Sequence, residues 1–194
     1  MLLSVIIPCY NCENTIEKCI NSILEQTIID FEVIAINDGS QDYTLEKMKA
    51  YEARDSRIRV INKANEGVGA TRNLGLTLAS SDYIIFIDPD DCLHPDMLKS
   101  LYEKAVETNA NVIVCDYYEC YEQSTDKTLM TIPVESTDLL VVEEQKDLIF
   151  KITPAPWNKL IKTSILKEHK IEFPLNYRSE DLVFTLKLLA QCKT

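Results

Sequence analysis

The sequence predicts an α/β fold of three layers, with helices on both faces of a mainly parallel central sheet. Short runs of β-branched and aliphatic residues alternate along the chain with stretches in which apolar residues recur at helical spacing. The runs are apolar almost without interruption, which is typical of parallel strands covered on both faces. Alternation of this kind indicates a layered α/β domain.

Five of these runs predict buried strands, at residues 3–7, 31–36, 58–61, 83–87 and 111–115. A further apolar run at residues 139–142 predicts one more strand, antiparallel to the others. The chain from residue 121 to this run is polar and rich in Ser and Thr, which indicates a looser organisation beyond the fifth strand.

Helical spacing predicts the connections between the strands. The first helix follows Asn14, whose side chain is expected to cap it while Glu17 reaches back. Others are predicted after Ser40, over residues 68–79, and from Pro95, where a first-turn proline loses no hydrogen bond. A last apolar stripe predicts a final helix, formed by Leu182, Leu186, Leu189 and Ala190.

Composition and charge exclude several classes of protein. The 194 residues are 46% apolar and 26% charged, which fits one globular domain rather than a fibre or a disordered chain. Asp and Glu number 31 against 20 Lys and Arg, giving a net charge of -11. Such a surface repels phosphate unless a cation or a local basic cluster intervenes. We therefore expect no nucleic-acid partner.

The longest apolar runs and the cysteines indicate the compartment. These runs have four or five residues, whereas a membrane-spanning helix needs about 20, and the N-terminal residues lack the basic start of a secretory signal. The seven cysteines are irregularly spaced, which fits buried thiols better than a disulfide framework. We expect a cytoplasmic protein.

The acidic loop at Asp88-Pro89-Asp90-Asp91 follows the strongest predicted strand. Its three carboxylates would repel one another without a counter-ion, and their oxygens suit Mg²⁺ or Mn²⁺, particularly when a diphosphate supplies further ligands. His94 is near enough to be a third protein ligand, although an exposed turn histidine is the favoured interpretation. The alternative for the whole loop is a turn in which Asp91 caps the next helix.

Three other polar positions fall at strand ends or helix starts. Asp38 could accept hydrogen bonds from a base or a ribose, with Gly39 allowing a ligand close to the backbone; a capped turn is the alternative. Arg72 could bind phosphate or base oxygens, or form an ordinary surface ion pair. Asp181 lies in the first turn of the last helix, capped by Ser179, where the helix dipole would keep it ionised and fit to accept a proton.

Taken in order, these motifs resemble the family 2 glycosyltransferases of the GT-A fold. The resemblance covers residues 3 to about 190, and Trp157-Asn158-Lys159-Leu160 resembles a segment of the bacterial capsule and cell-surface polysaccharide branches. The motifs that carry it are residues 5–11 (Val-Ile-Ile-Pro-Cys-Tyr-Asn), Asn37-Asp38-Gly39-Ser40, residues 67–75 with Arg72-Asn73, Asp88-Pro89-Asp90-Asp91 and Glu180-Asp181.

The resemblance implies a division of labour along one domain, residues 1–194. Residues 1–117 would bind a nucleotide-sugar, most often a UDP-sugar, and residues 118–194 would form the acceptor side, truncated at the C-terminus. Asp90 or Asp91 would be the main ligand of Mn²⁺ or Mg²⁺, and Asp181 would be the general base. The implied donor-binding residues are Pro8, Tyr10 and Asn11 near the uracil, Asp38 hydrogen-bonded to it, Arg72 nearby, and Asp88 facing the ribose.

The chemistry that the resemblance implies is inverting transfer. Asp181 would take the proton of an acceptor hydroxyl as that oxygen attacks the anomeric carbon opposite the diphosphate, and no covalent sugar intermediate is needed. The cation would neutralise charge on the departing diphosphate. The acceptor would be a saccharide or a lipid-linked saccharide. A homodimer, and peripheral association of a longer protein with the inner face of the membrane, are left open.

Two other functions compete with this interpretation. A nucleotidyltransferase would also use an α/β sheet and a carboxylate-bound metal, but its glycine- and lysine-rich phosphate loop is absent from residues 1–38, which contain no glycine. A non-catalytic nucleotide-sugar-binding module is the second alternative. The presence of both Asp90 and Asp181 argues against that module.

Overall fold

The computed structural model describes residues 1–120, 127–132, 140–142, 144 and 147–192. Its strands are β1 (Leu3–Cys9), β2 (Phe31–Asp38), β3 (Ile58–Lys63), β4 (Tyr83–Phe86), β5 (Val112–Val114), β6 (Tyr117–Cys120), β7 (Lys127–Met130) and β8 (Lys159–Lys162). Its helices are α1 (Ile16–Leu24), α2 (Thr44–Glu52), α3 (Val68–Leu78), α4 (Met97–Thr108), α5 (Leu148–Lys151), α6 (Thr163–Glu168) and α7 (Glu180–Gln191).

Six strands form one sheet in the order β3-β2-β1-β4-β8-β5, and β6 and β7 form a separate hairpin. The first four strands are parallel, whereas β8 runs antiparallel to both β4 and β5. The strand order reverses between β1 and β4, because the chain builds outward from β1 to β3 and then returns to the other side of β1. The predicted mainly parallel α/β sheet is confirmed.

The core lies in two layers, one on each face of the sheet. Successive side chains of a strand point to opposite faces, and in β1 this places Val5 and Ile7 with the cluster under α1, α2 and α4. Ile6 points the other way, into the cluster formed with α3, α6 and α7. Strand β1 is buried along its whole length. Its continuous apolar run therefore reflects cover on both faces of the sheet, as the sequence pattern indicated.

Helix α3 lies unusually close to the sheet. A Cβ atom added at Gly75 would collide with Cγ2 of Ile6 in β1, so only glycine allows this approach. The contact fixes the depth at which α3 sits, and with it the position of Arg72 one turn earlier in the same helix.

Two of the predicted helix starts are displaced, whereas α3 begins at Val68 as predicted. Helix α1 begins after Thr15, and Glu17 pairs with Lys47 of α2 at 2.5 Å rather than reaching back to Asn14. Pro95 precedes α4, which begins at Met97. Among the described side chains neither Asn14 nor Ser179 forms the expected cap, and Ser179 adopts a left-handed φ of 64°. Tertiary ion pairs and turns replace the local caps.

The later part of the chain differs most from the prediction. The fifth predicted strand exists as β5 and runs in the same direction as β1–β4, but it does not pair with β4, because β8, which was not predicted, lies between them and is antiparallel to both. Of the strand expected at residues 139–142, Leu139 lies outside the described residues and residues 140–142 are not in a strand. The hairpin and α6 were also missed.

The predicted apolar stripe of the last helix is wrong at three of its four positions. Leu182 and Leu186 are 44% and 38% exposed, respectively, and Ala190 is exposed as well. The helix instead turns Phe184 and Leu188 to the sheet, where Phe184 stacks on the ring of Phe173 at 3.9 Å. Aromatic stacking against the loop before α7 decides which face of this helix is buried.

Two further expectations concern the membrane and the cysteines. Within the described ranges, none of the helices has the length and apolar character needed to cross a membrane. All seven cysteines, each of them described, are free thiols, and four are buried: Cys9, Cys12, Cys19 and Cys192.

Candidate functional site

The predicted site residues gather where the strand order reverses. In open α/β sheets ligands bind at this point, outside the carboxyl ends of the strands. Tyr10 and Asn11 follow β1, Asp38 ends β2, and Asp88 comes two residues after the end of β4. These three strand ends are adjacent in the sheet.

Pro8 lies at the place where β1 and β4 diverge. Its partner in β2 is Ile36, whereas the pairing of β1 with β4 ends at Ile6. A proline has no N–H for a second ladder and is tolerated at such a position. Pro8 is therefore buried in the sheet, whereas Tyr10, just beyond it, is 50% exposed.

Asn11 joins the loops that follow β1 and β2. Its backbone adopts a left-handed φ of 47°, its N–H donates to Oγ of Ser40 at 3.0 Å, and its side-chain oxygen accepts from the N–H of Gln41 at 2.8 Å. Both side-chain and backbone groups of Asn11 thus shape the rim of the site.

Asp38 is buried and holds the loop that leads into α3. Its carboxylate accepts from the ammonium of Lys63 and from the N–H groups of Glu66 and Gly67, both at 2.9 Å. Burial raises the pKa of Asp38, but these donors outweigh it and leave the pKa below its usual value. At Gly39, where φ is 72°, a Cβ would lie 2.8 Å from the backbone nitrogen of the chain's own Asn65, so the space there is filled by this loop rather than left open for a ligand.

Arg72 brings together the two ends of the predicted site. Its guanidinium donates to Asp88 at 2.9 Å, to Glu180 at 3.2 Å and to Asp181. The side chain is only 3% exposed, so the alternative of an ordinary surface ion pair is wrong. It lies over the ring of Phe173, 5.2 Å from the centroid. Among the described residues its Nε has no hydrogen-bond partner.

The electrostatics of Asp181 differ from the expectation. The helix-dipole argument predicts a readily ionised carboxyl group, but burial raises its pKa to about 6. Arg72 opposes this shift, whereas the charges of Glu180 and Asp88 add to it. A carboxyl group with this pKa is a proton acceptor near neutral pH, and it holds an accepted proton better than an exposed aspartate does.

The acidic loop contains one engaged and two available carboxylates. Its turn is closed by the N–H of Asp91, which donates to the carbonyl of Asp88 at 3.1 Å. Asp90 is exposed. Burial, with the charges of Asp88 and Asp90, raises the pKa of Asp91 to about 6. In the part of the chain that the structure describes, neither Asp90 nor Asp91 forms an ion pair.

Among the described residues, the protein ligands that this loop offers a metal are few. No group of three or more His, Cys, Asp or Glu side chains suited to a metal occurs within the described residues. His94 is exposed, and its Nδ1 accepts from the N–H of Asp96 at 3.3 Å, as expected for a turn histidine. Mg²⁺ is commonly bound by one or two carboxylates together with substrate phosphates.

An open cleft of about 250 Å³ lies beside the Arg72 cluster. It is lined by residues 66–70 at the start of α3 and by residues from Pro174 to Glu180, including Tyr177 and Arg178. Three features of the site were not predicted from the sequence: Lys63, Phe173 and the role of Glu180 as a partner of Arg72. Only Glu180 carried a signal, since it adjoins Asp181.

Comparison with known sequences places the chain among glycosyltransferases. The family model "Glycosyl transferase family 2" matches residues 4–170. The chain is 33% identical over 199 residues to the uncharacterized glycosyltransferase EpsJ of Bacillus subtilis (strain 168), covering 99% of this chain and 57% of that protein. It is 30% identical over 198 residues to the poly(ribitol-phosphate) beta-glucosyltransferase of Bacillus spizizenii, covering 100% of this chain and 30% of that protein.

Solved structures give the same result. The crystal structure of S. aureus TarS 1-349 matches with a TM-score of 0.86 at 27% identity, over 99% of this chain and 56% of that one, and the same protein is known in complex with UDP-GlcNAc. The mannosyltransferase PcManGT from Pyrobaculum calidifontis, in complex with GDP-Man and Mn2+, shares the fold at 16% identity, with a TM-score of 0.70 over 96% of this chain and 51% of that one.

The first curated relatives match over most of this chain, and the chain spans about half of the length of those relatives. The match to TarS confirms the predicted GT-A fold, and the family model covers most of the chain. On sequence and on structure, this chain belongs to glycosyl transferase family 2.

Proposed function

We propose that this chain is the donor-binding and catalytic region of an inverting glycosyltransferase. It would move a sugar from a nucleoside diphosphate sugar, most simply a UDP-sugar, to a hydroxyl group of a saccharide or lipid-linked saccharide in the synthesis of a surface polysaccharide. The observation that carries the proposal is the buried Arg72, which joins Asp88 at the end of β4 to Asp181 at the start of α7. Both relatives named above are glycosyltransferases.

The donor would lie across the carboxyl ends of β1, β2 and β4. Tyr10 offers an exposed ring there, next to Asn11. An ionised carboxylate has about four acceptor positions, and Asp38 uses three of them for Lys63, Glu66 and Gly67. One position remains for an N–H of the base. A uracil, as in the UDP-GlcNAc bound to TarS, fits this requirement.

Asp90 and Asp91 would hold a divalent cation, Mn²⁺ or Mg²⁺. Their oxygen donors suit these ions. Burial, and after it the charges of Asp88 and Asp90, raise the pKa of Asp91, which indicates a place where positive charge is favourable. When bound, such a cation offsets the negative charge of a diphosphate. Asp88 is engaged by Arg72, so we assign it to the donor rather than to the metal.

Asp181 would act as the general base. Its carboxylate accepts the proton of the acceptor hydroxyl while that oxygen forms a bond to the anomeric carbon, and the bond from this carbon to the diphosphate breaks with its electron pair on the diphosphate. Arg72 remains charged beside it and keeps part of the Asp181 population ionised near pH 6. Residues 1–117 are assigned to the donor side and residues 118–194 to the acceptor side.

Thermal unfolding with UDP and MnCl₂ tests the donor site. At a UDP concentration 100 times its dissociation constant, the folded state gains about 2.7 kcal/mol, and the melting temperature should rise only when both components are present. Asp90→Ala should abolish this rise. The matched control is Asp30→Ala, because Asp30 is exposed at the opposite end of the sheet, where it pairs with the N-terminus at 3.6 Å.

Two results would contradict the donor-site assignment. One is a melting temperature that no nucleotide raises with or without Mn²⁺. The other is an Asp90→Ala variant that responds to UDP and Mn²⁺ as the unsubstituted chain does.

A further inference from the structure

Lys159 is a charged side chain in a place where an apolar one is expected. It begins β8, is 0% exposed, and lies beside Leu160 and Ile161 of the core. No carboxylate lies within ion-pair distance of its ammonium in the described part of the chain. Burial of an unpaired ammonium is unfavourable and lowers the pKa of Lys159 to about 7.

The ammonium binds the main chain of the preceding loop. It donates to the carbonyl of Thr153 at 2.6 Å, to the carbonyl of Ala155 at 2.7 Å, and to the side-chain oxygen of Asn158 at 2.8 Å. Asn158 in turn donates to the carbonyl of Cys115 at 2.9 Å, just beyond β5. The loop is thus tied to the edge of the sheet through one lysine.

Helix α7 binds the carbonyl between these two. The hydroxyl of Thr185, which is 3% exposed, donates to the carbonyl of Pro154 at 2.7 Å. Thr185 lies one turn after Asp181, and residues four apart share a face of a helix. Three consecutive carbonyls, at residues 153–155, are therefore held alternately by the sheet and by the helix that carries Asp181.

The connection meets the sheet near the carboxyl end of β4, which leads to Asp88. Leu160 of β8 pairs with Ile85 of β4 in the antiparallel register, so Lys159 lies toward the carboxyl end of β4, which leads to Asp88. The connection from Lys159 through residues 153–155 to Thr185 joins β8, the neighbour of the strand that leads to Asp88, to the helix of Asp181.

We propose that Lys159 is a positioning residue, which acts through residues 153–155 and Thr185 to set where Asp181 stands relative to Arg72 and Asp88. The inference rests on the proposed role of Asp181 as the base. Arg72 pairs with the carboxylate of Asp181, while the hydrogen bond of Thr185 to the loop holds α7 one turn later. Misplacement of a reacting group by about 1 Å can lower a rate about 100-fold.

The test compares Thr185→Val, which removes one hydroxyl, with Thr185→Ser, which retains it. Lys159→Met is the stronger variant. The matched control is Thr163→Val, because Thr163 is 5% exposed and donates to the carbonyl of Ser81 at 2.7 Å, but lies at the other end of β8. Each protein is assayed for UDP release from UDP-GlcNAc with Mn²⁺, for UDP affinity, and for amide hydrogen exchange of residues 181–184 without ligand.

Thr185→Val and Lys159→Met should raise the exchange rate of residues 181–184 at least tenfold and lower kcat about 10- to 100-fold, with UDP affinity unchanged. Thr185→Ser should resemble the unsubstituted chain. Thr163→Val should lower the melting temperature without changing kcat. If Lys159→Met does not fold, the two Thr185 variants decide the question.

The inference is overturned if Thr185→Val leaves the exchange of residues 181–184 unchanged, or if Thr163→Val lowers kcat as much as Thr185→Val does. Failure of the proposed function is a separate result. It would be seen as undiminished UDP release in Asp181→Asn, and the exchange measurement does not depend on it.

Discussion

In the first part of the chain, from β1 to α4, aliphatic strands pair over long registers, and seven consecutive residues of β1 face seven of β2. In the later part, from β6 to α7, each strand has only four residues, and polar side chains join the elements to main-chain atoms. Lys159 and Thr185 hold one loop, and Asn73 exchanges two hydrogen bonds of 2.8 Å with the backbone of Phe173. The first part forms the scaffold, and the second places Asp181 against it.

This difference has a consequence for function. Apolar packing is shared among many contacts, so single changes in the sheet mainly lower stability. A polar connection depends on a few directed hydrogen bonds, so a single change can move Asp181 while the sheet stays folded. Substitutions in the two parts should therefore separate catalysis from stability.

The largest expected effect is on the chemical step. Asp181→Asn removes the proposed base and should lower UDP release from UDP-GlcNAc by about 10³-fold, within the range of general base catalysis, while UDP affinity changes little. The matched control is Glu180→Gln, which alters the neighbouring partner of Arg72 and should cost much less. Equal activity of Asp181→Asn and the unsubstituted chain would exclude Asp181 as the base.

The next effect is on the charge cluster that joins the two parts. Arg72→Met leaves Asp88, Glu180 and Asp181 without their common cation and should lower the free energy of unfolding by about 3–5 kcal/mol, as for a broken buried ion pair. Arg57→Met is the control, because Arg57 also pairs with an aspartate at 2.7 Å and lies over a phenylalanine ring, but its side chain is 27% exposed.

The control should lose at most about 1 kcal/mol, since exposed pairs contribute little. Urea denaturation measures both variants. Similar losses for the two arginines would mean that the Arg72 cluster is no more important to the fold than a surface pair.

A smaller loss of stability is expected at two glycines of α3, which contact different parts of the chain. Gly75→Ala forces a methyl group against Ile6 of the sheet and should cost about 1–3 kcal/mol. In Gly69→Ala the methyl group would lie 2.9 Å from the carbonyl of Pro174, in the later part of the chain. That loop should yield more easily, so the loss should be smaller. A greater loss for Gly69→Ala in thermal unfolding would reverse the proposed difference between the two parts.

The smallest effect is the pH dependence. Because the proposed base Asp181 must be deprotonated to act and its pKa is raised to about 6, UDP release should increase about tenfold from pH 5 to pH 7 and then level off. The residual activity of Asp181→Asn should lack this rise. The same shift has the opposite sign for stability: the folded state binds the proton more tightly than the unfolded chain, so Asp181 favours the folded state less as pH rises from about 4 to 6.

Part of the fold could be predicted because burial leaves a direct pattern in the residues. The continuous runs at β1, β2 and β4 are buried on both faces, and each was predicted within two residues of its ends. Strand β8 escaped prediction because its four residues begin and end with lysine. The burial of Lys159 depends on carbonyl groups that no spacing rule brings near it.

The candidate site, like the fold, could be predicted only in part. The order of polar residues at strand ends placed Asp38 and Asp88 together in advance, because parallel strands deliver their carboxyl ends to one edge. Asp181 begins a helix, and only the family resemblance placed it at this site. The three carboxylate partners of Arg72 could not be predicted, since they come from two segments that are 92 residues apart, Asp88 and Glu180. The helix caps were wrong for a similar reason: contacts between elements outweighed the local signals.

The amino-acid sequence alone determined the layered α/β architecture, the edge of the sheet where chemistry is possible and the family to which the chain belongs, because these depend on the order of residues along each strand and loop. Tertiary structure alone decided that Arg72 is buried among acids, that the pKa of Asp181 is raised to about 6, and that a buried lysine ties the last helix to the sheet. Burial and the pairing of charges are properties of distance in space, and they exist only once separate segments have packed together.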